Sequence, residues 1–113
     1  MHEYSIVRAL IDRVEREARA RGATSVQRIH VRIGELAGVE KSLLATAYET
    51  VRERTLCSGA GLEINAVEAR WVCSGCGKTI ARGEILECRE CGRPARLEGG
   101  DEIMLERIDM EVA

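Results

Sequence analysis

The sequence predicts an α+β fold in which two helices pack on a small three-stranded mixed sheet and a four-cysteine module is inserted before the last strand. Three observations predict it. Two stretches place apolar residues at helical spacing, three place them in alternation, and residues 72–93 do neither while holding four of the five cysteines.

The first helix covers 3–21. Ile6, Val7, Leu10, Ile11, Val14 and Ala18 fall on one face, and Arg8, Asp12, Glu15, Glu17 and Arg19 on the other. Gly22 follows a basic last turn, as a helix C-terminus prefers. The stretch "SVQRIHVRIG" changes period: Ile29, Val31 and Ile33 alternate with Arg28, His30 and Arg32, which marks a strand with one buried face. His30 faces outward and reads as an ordinary surface histidine. "GELAGVEKS" is a turn-rich connection. Helical period returns over 39–56 with Leu43, Leu44, Ala47, Tyr48 and Val51, and "CSGAG" ends it. Leu62, Ile64 and Ala66 predict a second strand running on towards Trp71. After Pro94, Ile103 and Leu105, then Ile108, Met110 and Val112, predict a third strand. Its phase slips between Leu105 and Ile108, which calls for a bulge or a switch of face. The core must be aliphatic, because there is no Phe, one Trp and two Tyr.

Net charge is −2 with both signs interspersed, so charge gives no support to a nucleic-acid or membrane partner. No apolar run approaches the ~20 residues of a spanning helix, and no basic-then-apolar leader opens the chain. A cytoplasmic location is expected. An odd cysteine count in a reducing compartment argues against a disulfide framework and for metal ligation.

"CSGCG" and "CRECG" repeat one pattern, C-x2-C-G, across an 11-residue spacer. Two cysteines three apart on a tight turn can place both sulfurs on one ion. The glycine after each pair lets the backbone fold back, so that amide N–H groups reach the sulfurs. Two such turns on a hairpin make the closed tetrahedral shell of four sulfurs typical of structural zinc, with Cys73, Cys76, Cys88 and Cys91 as ligands, in a zinc-ribbon-like four-cysteine module. A redox dithiol would use one such pair at a helix start, ferredoxin-type clusters use other spacings, and a catalytic zinc keeps an open position. A nucleic-acid-binding or interaction ribbon is the alternative function. Against nucleic acid, the module holds five basic and three acidic side chains, four thiolates around a divalent ion cancel that excess, and Trp71 is its only aromatic. Cys57 lies outside both pairs and reads as a small, partly buried hydrophobe.

The chain opens "MHEYS". An amine on Met1, the amide nitrogen and imidazole of His2, and the amide of Glu3 can form fused chelate rings around one ion. Such a planar nitrogen set favours nickel(II) or copper(II). A solvated terminal histidine without a role is the competing reading.

Together, "MHEYS" leading into an amphipathic helix, "RIGELAGVE", the paired CxxCG motifs and a late "GGDEI" resemble the HypA/HybF family, nickel metallochaperones of [NiFe]-hydrogenase maturation. The resemblance spans essentially the whole chain. It implies Ni(II) at Met1, His2 and Glu3, structural Zn(II) at the four paired cysteines, and no catalytic activity. It implies a HypB-type GTPase and the hydrogenase large subunit as partners, with urease as a further client, and a monomer or weak homodimer. Glu40 is a candidate second carboxylate beside nickel. The expected division is a nickel-binding α/β domain over 1–70 with 97–113, and a zinc-binding module over 71–96.

Overall fold

The computed structural model describes residues 2–113; Met1 lies outside the described residues. The order is α1 (Glu3–Ala20), β1 (Ala23–Gly34), α2 (Lys41–Val51), β2 (Gly61–Val67), β3 (Arg70–Cys73), β4 (Thr79–Ile80), β5 (Ala95–Gly99) and β6 (Ile103–Val112). Two three-stranded sheets result, ordered β2-β1-β6 and β4-β3-β5.

The first sheet is mixed, as expected. β1 sits at its centre, parallel to β2 and antiparallel to β6. The parallel pair needs a crossover, and α2 supplies it. Both helices lie on one face. The carboxylate of Glu3 accepts the Glu40 N–H (3.3 Å), and that of Glu15 accepts the Leu56 N–H (3.1 Å). Residue 3 therefore lies by 40 and residue 15 by 56, so α1 and α2 run side by side in the same direction. Their inward faces and β1 enclose an aliphatic core of Val7, Ile11, Val14, Ile29, Val31, Ile33 and Leu44. Its one aromatic is Tyr48, whose hydroxyl donates to the Ala60 carbonyl (2.8 Å). Among the described residues no helix is long and apolar enough to cross a membrane.

The phase slip in β6 is a bulge. Ile29 pairs with Ile108, His30 with Arg107 and Val31 with Leu105, leaving Glu106 as the extra residue. Apolar residues on either side of it thus keep the inner face.

Three local expectations are corrected. α2 is shorter than 39–56, because turns over 52–59 carry the chain across to β2 and Arg54 takes a positive φ of 63°. The second strand does not run on to Trp71. It ends at Val67, the chain turns at Glu68–Ala69, and β3 joins the other sheet. His30 is no ordinary surface histidine. Its side chain is only 14% exposed, held between Asp109 of β6 (2.9 Å) and Glu63 of β2 (3.3 Å), so it links all three strands on the open face.

The two sheets lie end to end. The molecule measures 56 × 27 × 16 Å with a radius of gyration of 18.0 Å, against roughly 13 Å for a compact chain of this size. At the waist, Gly34 abuts the Gly100–Asp101 peptide: a Cβ on Gly34 would lie 2.2 Å from Gly100 backbone atoms. Gly34, Glu35 and Leu36 donate to the carbonyls of Glu102, Val67 and Gly100 (2.8 Å each), stitching the end of β1 to both crossing strands.

Candidate metal centre

The two C-x2-C-G turns fold alike. The Cys73 N–H donates to Lys78 O (2.8 Å) and the Cys88 N–H to Arg93 O (2.9 Å); Gly77 and Gly92 donate back to the carbonyls of Cys73 and Cys88 (3.0 and 2.9 Å). Each turn closes at its glycine, with φ of 75° at Gly77 and 71° at Gly92, where a side chain would be strained. β3 and β5 fix the first turn, while a bridge between Glu87 and Pro94 fixes the second.

This brings the sulfurs of Cys73, Cys76, Cys88 and Cys91 within 4.8 Å of one another. Cys73 and Cys88 are buried, Cys76 and Cys91 exposed. The Gly75 and Cys76 N–H groups point at the Cys73 sulfur (3.3 and 3.4 Å). The Cys76 N–H first, then the Cys91 thiol, hold the Cys73 thiol down at about 6. The Cys91 and Glu90 N–H groups lower Cys88 in the same way. Cys91 is pushed up to about 11, chiefly by its contact with Cys73. Four crowded thiols thus share too much negative charge to ionise together without a cation.

A divalent ion resolves that conflict, and the donor set fits zinc. Sulfurs ~2.3 Å from a tetrahedral zinc lie about 3.8 Å apart. Cys76 and Cys88 are already 3.8 Å apart, whereas Cys73 and Cys91 are closer, at 3.1 Å. The surrounding sheet has little core of its own: in 70–99 the buried apolar residues are Val72, Cys73 and Cys88. Cys57, by contrast, is fully buried in the α/β core, away from this cluster, and burial pushes its thiol up.

At the other site, α1 begins one residue after His2. His2 is exposed and makes no side-chain capping bond, although its carbonyl accepts the Ile6 N–H (2.9 Å). Glu3 is buried, 6% exposed. Its carboxylate reaches the backbone of Glu40 at the start of α2. Glu40 therefore sits beside the terminus, and its own carboxylate accepts the Ser42 hydroxyl (3.1 Å). Met1 lies outside the described residues; of the expected nickel residues the structure joins Glu3 to Glu40, with His2 preceding Glu3 on the exposed side.

One pair escaped sequence reasoning. Arg82, in the loop after β4, grips the Glu35 carboxylate through both terminal nitrogens; one contact is 2.7 Å. Glu35 also accepts the Ala69 N–H (2.8 Å). Only the "GELAG" turn and the Arg in "TIARG" signal it, and nothing in sequence connects residues so far apart.

Fold and site define a small α+β protein that carries a four-thiolate metal knuckle on a second sheet. The family model described as "Hydrogenase/urease nickel incorporation, metallochaperone, hypA" matches residues 1–110. The hydrogenase maturation factor HypA of Shewanella halifaxensis is 40% identical over 116 residues, spanning 100% of each chain. That of Rhodobacter capsulatus is 40% identical over 114 residues, spanning 99% of each. The solution structure of the Ni metallochaperone HypA from Helicobacter pylori superposes with a TM-score of 0.75 at 32% identity, covering 100% of both chains. A second solution structure of a HypA protein gives 0.82 at 31% identity, covering 100% of this chain and 98% of that one. The chain belongs to the HypA family.

Proposed function

We propose that this chain is a nickel metallochaperone for [NiFe]-hydrogenase maturation. Ni(II) is its cargo, held by Met1, His2 and Glu3, and zinc at Cys73, Cys76, Cys88 and Cys91 is structural. One observation carries the nickel reading: His2 is exposed without a capping bond, next to a buried Glu3 that anchors the terminus to α2. An imidazole so placed adds a side-chain nitrogen to those of the backbone, while the anchor limits the volume the terminus explores. Few, exchangeable ligands suit a cargo that must leave. The relatives' names and the family description support hydrogenase as client, with urease second. A HypB-type GTPase and the hydrogenase large subunit are the partners we infer.

Zinc, when bound, supplies four strong bonds that substitute for a missing core. The residues around it orient the sulfurs through backbone N–H groups and offer no open ligand position, which fits a chaperone rather than an enzyme. On this reading the α/β domain is 1–70 with 97–113, and the zinc module is 71–96.

Nickel titration of untagged protein tests the cargo site. His2→Ala should abolish tight binding. Acetylating the Met1 amine, or adding one residue before it, should weaken binding markedly while zinc content stays the same. Unchanged affinity in His2→Ala removes the site. Unchanged affinity after blocking the amine, with His2 still required, moves the remaining ligands to Glu3 and Glu40.

A further inference from the structure

We propose that the groove between β4 and the second cysteine knuckle docks an extended segment of a partner protein, one that carries an aliphatic and a basic side chain two positions apart.

The groove holds about 540 Å³. β4 and Ala81 line it on one side, and the loop that leads into Cys88 lines it on the other. Its apolar lining is Ile80, Ala81 and Ile85. Ile85 is 79% exposed, more than any other large apolar side chain among the described residues.

Backbone partners stand along the same wall. β4 is an edge of the β4-β3-β5 sheet. The Cys73 N–H donates to Lys78 O (2.8 Å), so 73 and 78 form a hydrogen-bonded pair. At the next pair, Val72 with Thr79, the antiparallel alternation turns the Thr79 N–H and C=O away from β3. Thr79 is exposed and lines the groove. An added strand can therefore bond to Thr79, while every second side chain of that strand reaches the groove.

Charge selects the occupant. Of the charged groups in the lining, Lys78 is already held by Glu90, and Arg89 by Glu84 (2.7 Å). Glu87 also lines the groove and has no ion-pair partner among the described residues. Cys88 lines it too, and with zinc in place four thiolates around a divalent ion carry a net −2. Both cations are thus neutralised within the chain, and the charge left facing the groove is negative. Such a field attracts lysine or arginine and repels phosphate, which sets nucleic acid aside. Glu87 follows Ile85 by two residues. A segment that rests an aliphatic side chain on Ile85 can bring a basic one, two positions along, to Glu87. Both residues belong to the cysteine module, so this docking stands apart from the cargo site.

The test uses the zinc-loaded full chain and a displayed library of random heptapeptides. Selection should enrich peptides in which Lys or Arg stands two positions from Val, Ile or Leu. The enriched peptide, made synthetically, should shift the amide resonances of 78–81 and 84–90 and show contacts between its backbone and Thr79. Glu87→Lys and Ile85→Ser should each raise its dissociation constant about tenfold or more. Zinc content and amide dispersion should stay as in wild type, because both side chains are exposed. Leu86→Ser, outside the groove, should bind as wild type does. A library that yields no enriched peptide overturns the proposal. So does enrichment of acidic peptides, undiminished binding in Glu87→Lys or Ile85→Ser, or shifts confined to the β2-β1-β6 sheet. Self-association that Ile85→Ser abolishes would make the occupant a second copy and overturns it as well. Nickel affinity is not a readout, so failure here leaves the cargo site standing.

Discussion

The Glu35 carboxylate and the Arg82 guanidinium meet in a two-point ion pair that ties the loop of the cysteine sheet to the end of β1. Arg82, with the Ala69 N–H as a second donor, holds the Glu35 carboxyl at about 2, well below its ordinary 4.5. A carboxyl so depressed contributes above its unfolded value and loses that contribution as pH falls through the folded one. The stability it adds is therefore complete from neutral pH to about pH 5 and is lost below that, while the tie itself persists until the carboxyl protonates near its folded value of about 2. Both groups are partly exposed, so breaking it should change orientation far more than stability. Arg82→Ala should raise the solution radius of gyration by small-angle scattering, with zinc content and melting temperature close to wild type. An unchanged scattering profile would show that the backbone bonds at Gly34, Glu35 and Leu36 fix the waist without it.

Zinc removal should act on one sheet only. Residues 70–99 bury too few apolar atoms to offset their chain entropy, and a structural zinc contributes on the order of 10 kcal/mol in small sites. Cys73→Ser, or a strong chelator, should collapse amide dispersion for 70–99 while resonances of α1, β1 and α2 stay in place. Heteronuclear correlation spectra check this. A dispersed 70–99 region without metal would assign its stability to something other than the sulfurs.

α1 was legible because Val7, Leu10, Ile11, Val14 and Ala18 declare one face, and all of them are buried. The bulge in β6 was legible because an alternation that slips by one residue must either bulge or turn over. The cysteine cluster followed from spacing alone. The break at Glu68–Ala69 was not legible, since no Gly or Pro interrupts that segment. Gly100, from a distant part of the sequence, packs against that break: a Cβ on it would lie 2.5 Å from the Ala69 Cα. The partners of His30 and Glu35 depended on strand register and on how the two sheets meet, neither of which a local pattern encodes.

The Ala60 carbonyl has two donors, the Tyr48 hydroxyl at 2.8 Å and an Arg52 guanidinium nitrogen at 3.0 Å. Burial pushes the Tyr48 phenol up, so it is a neutral donor throughout the accessible range. Tyr48→Phe should cost only about 1 kcal/mol, because Arg52 still satisfies the carbonyl. Adding Arg52→Ala should cost more than the sum of the two single changes, since a shielded carbonyl is then left unpaired. Urea denaturation of the four-member cycle measures this, and strict additivity would mean that water replaces the lost donors.

Glu3 distinguishes positioning of the cargo site from ligation. Its buried carboxylate accepts the Glu40 N–H. Glu3→Gln keeps an acceptor oxygen but removes the charge; Glu3→Ala removes both. If the side chain works by anchoring the terminus to α2, Glu3→Gln should bind nickel nearly as wild type does. Glu3→Ala should then bind more weakly, by about tenfold for a lost charge-assisted hydrogen bond of ~1.5 kcal/mol, with the same absorption spectrum because the ligands are unchanged. If the carboxylate instead touches nickel, both variants should weaken binding and shift the ligand-field bands. Glu40→Gln separates the neighbouring carboxylate in the same way: its backbone N–H still meets Glu3, so a loss of affinity confined to that variant would make the Glu40 side chain a nickel ligand.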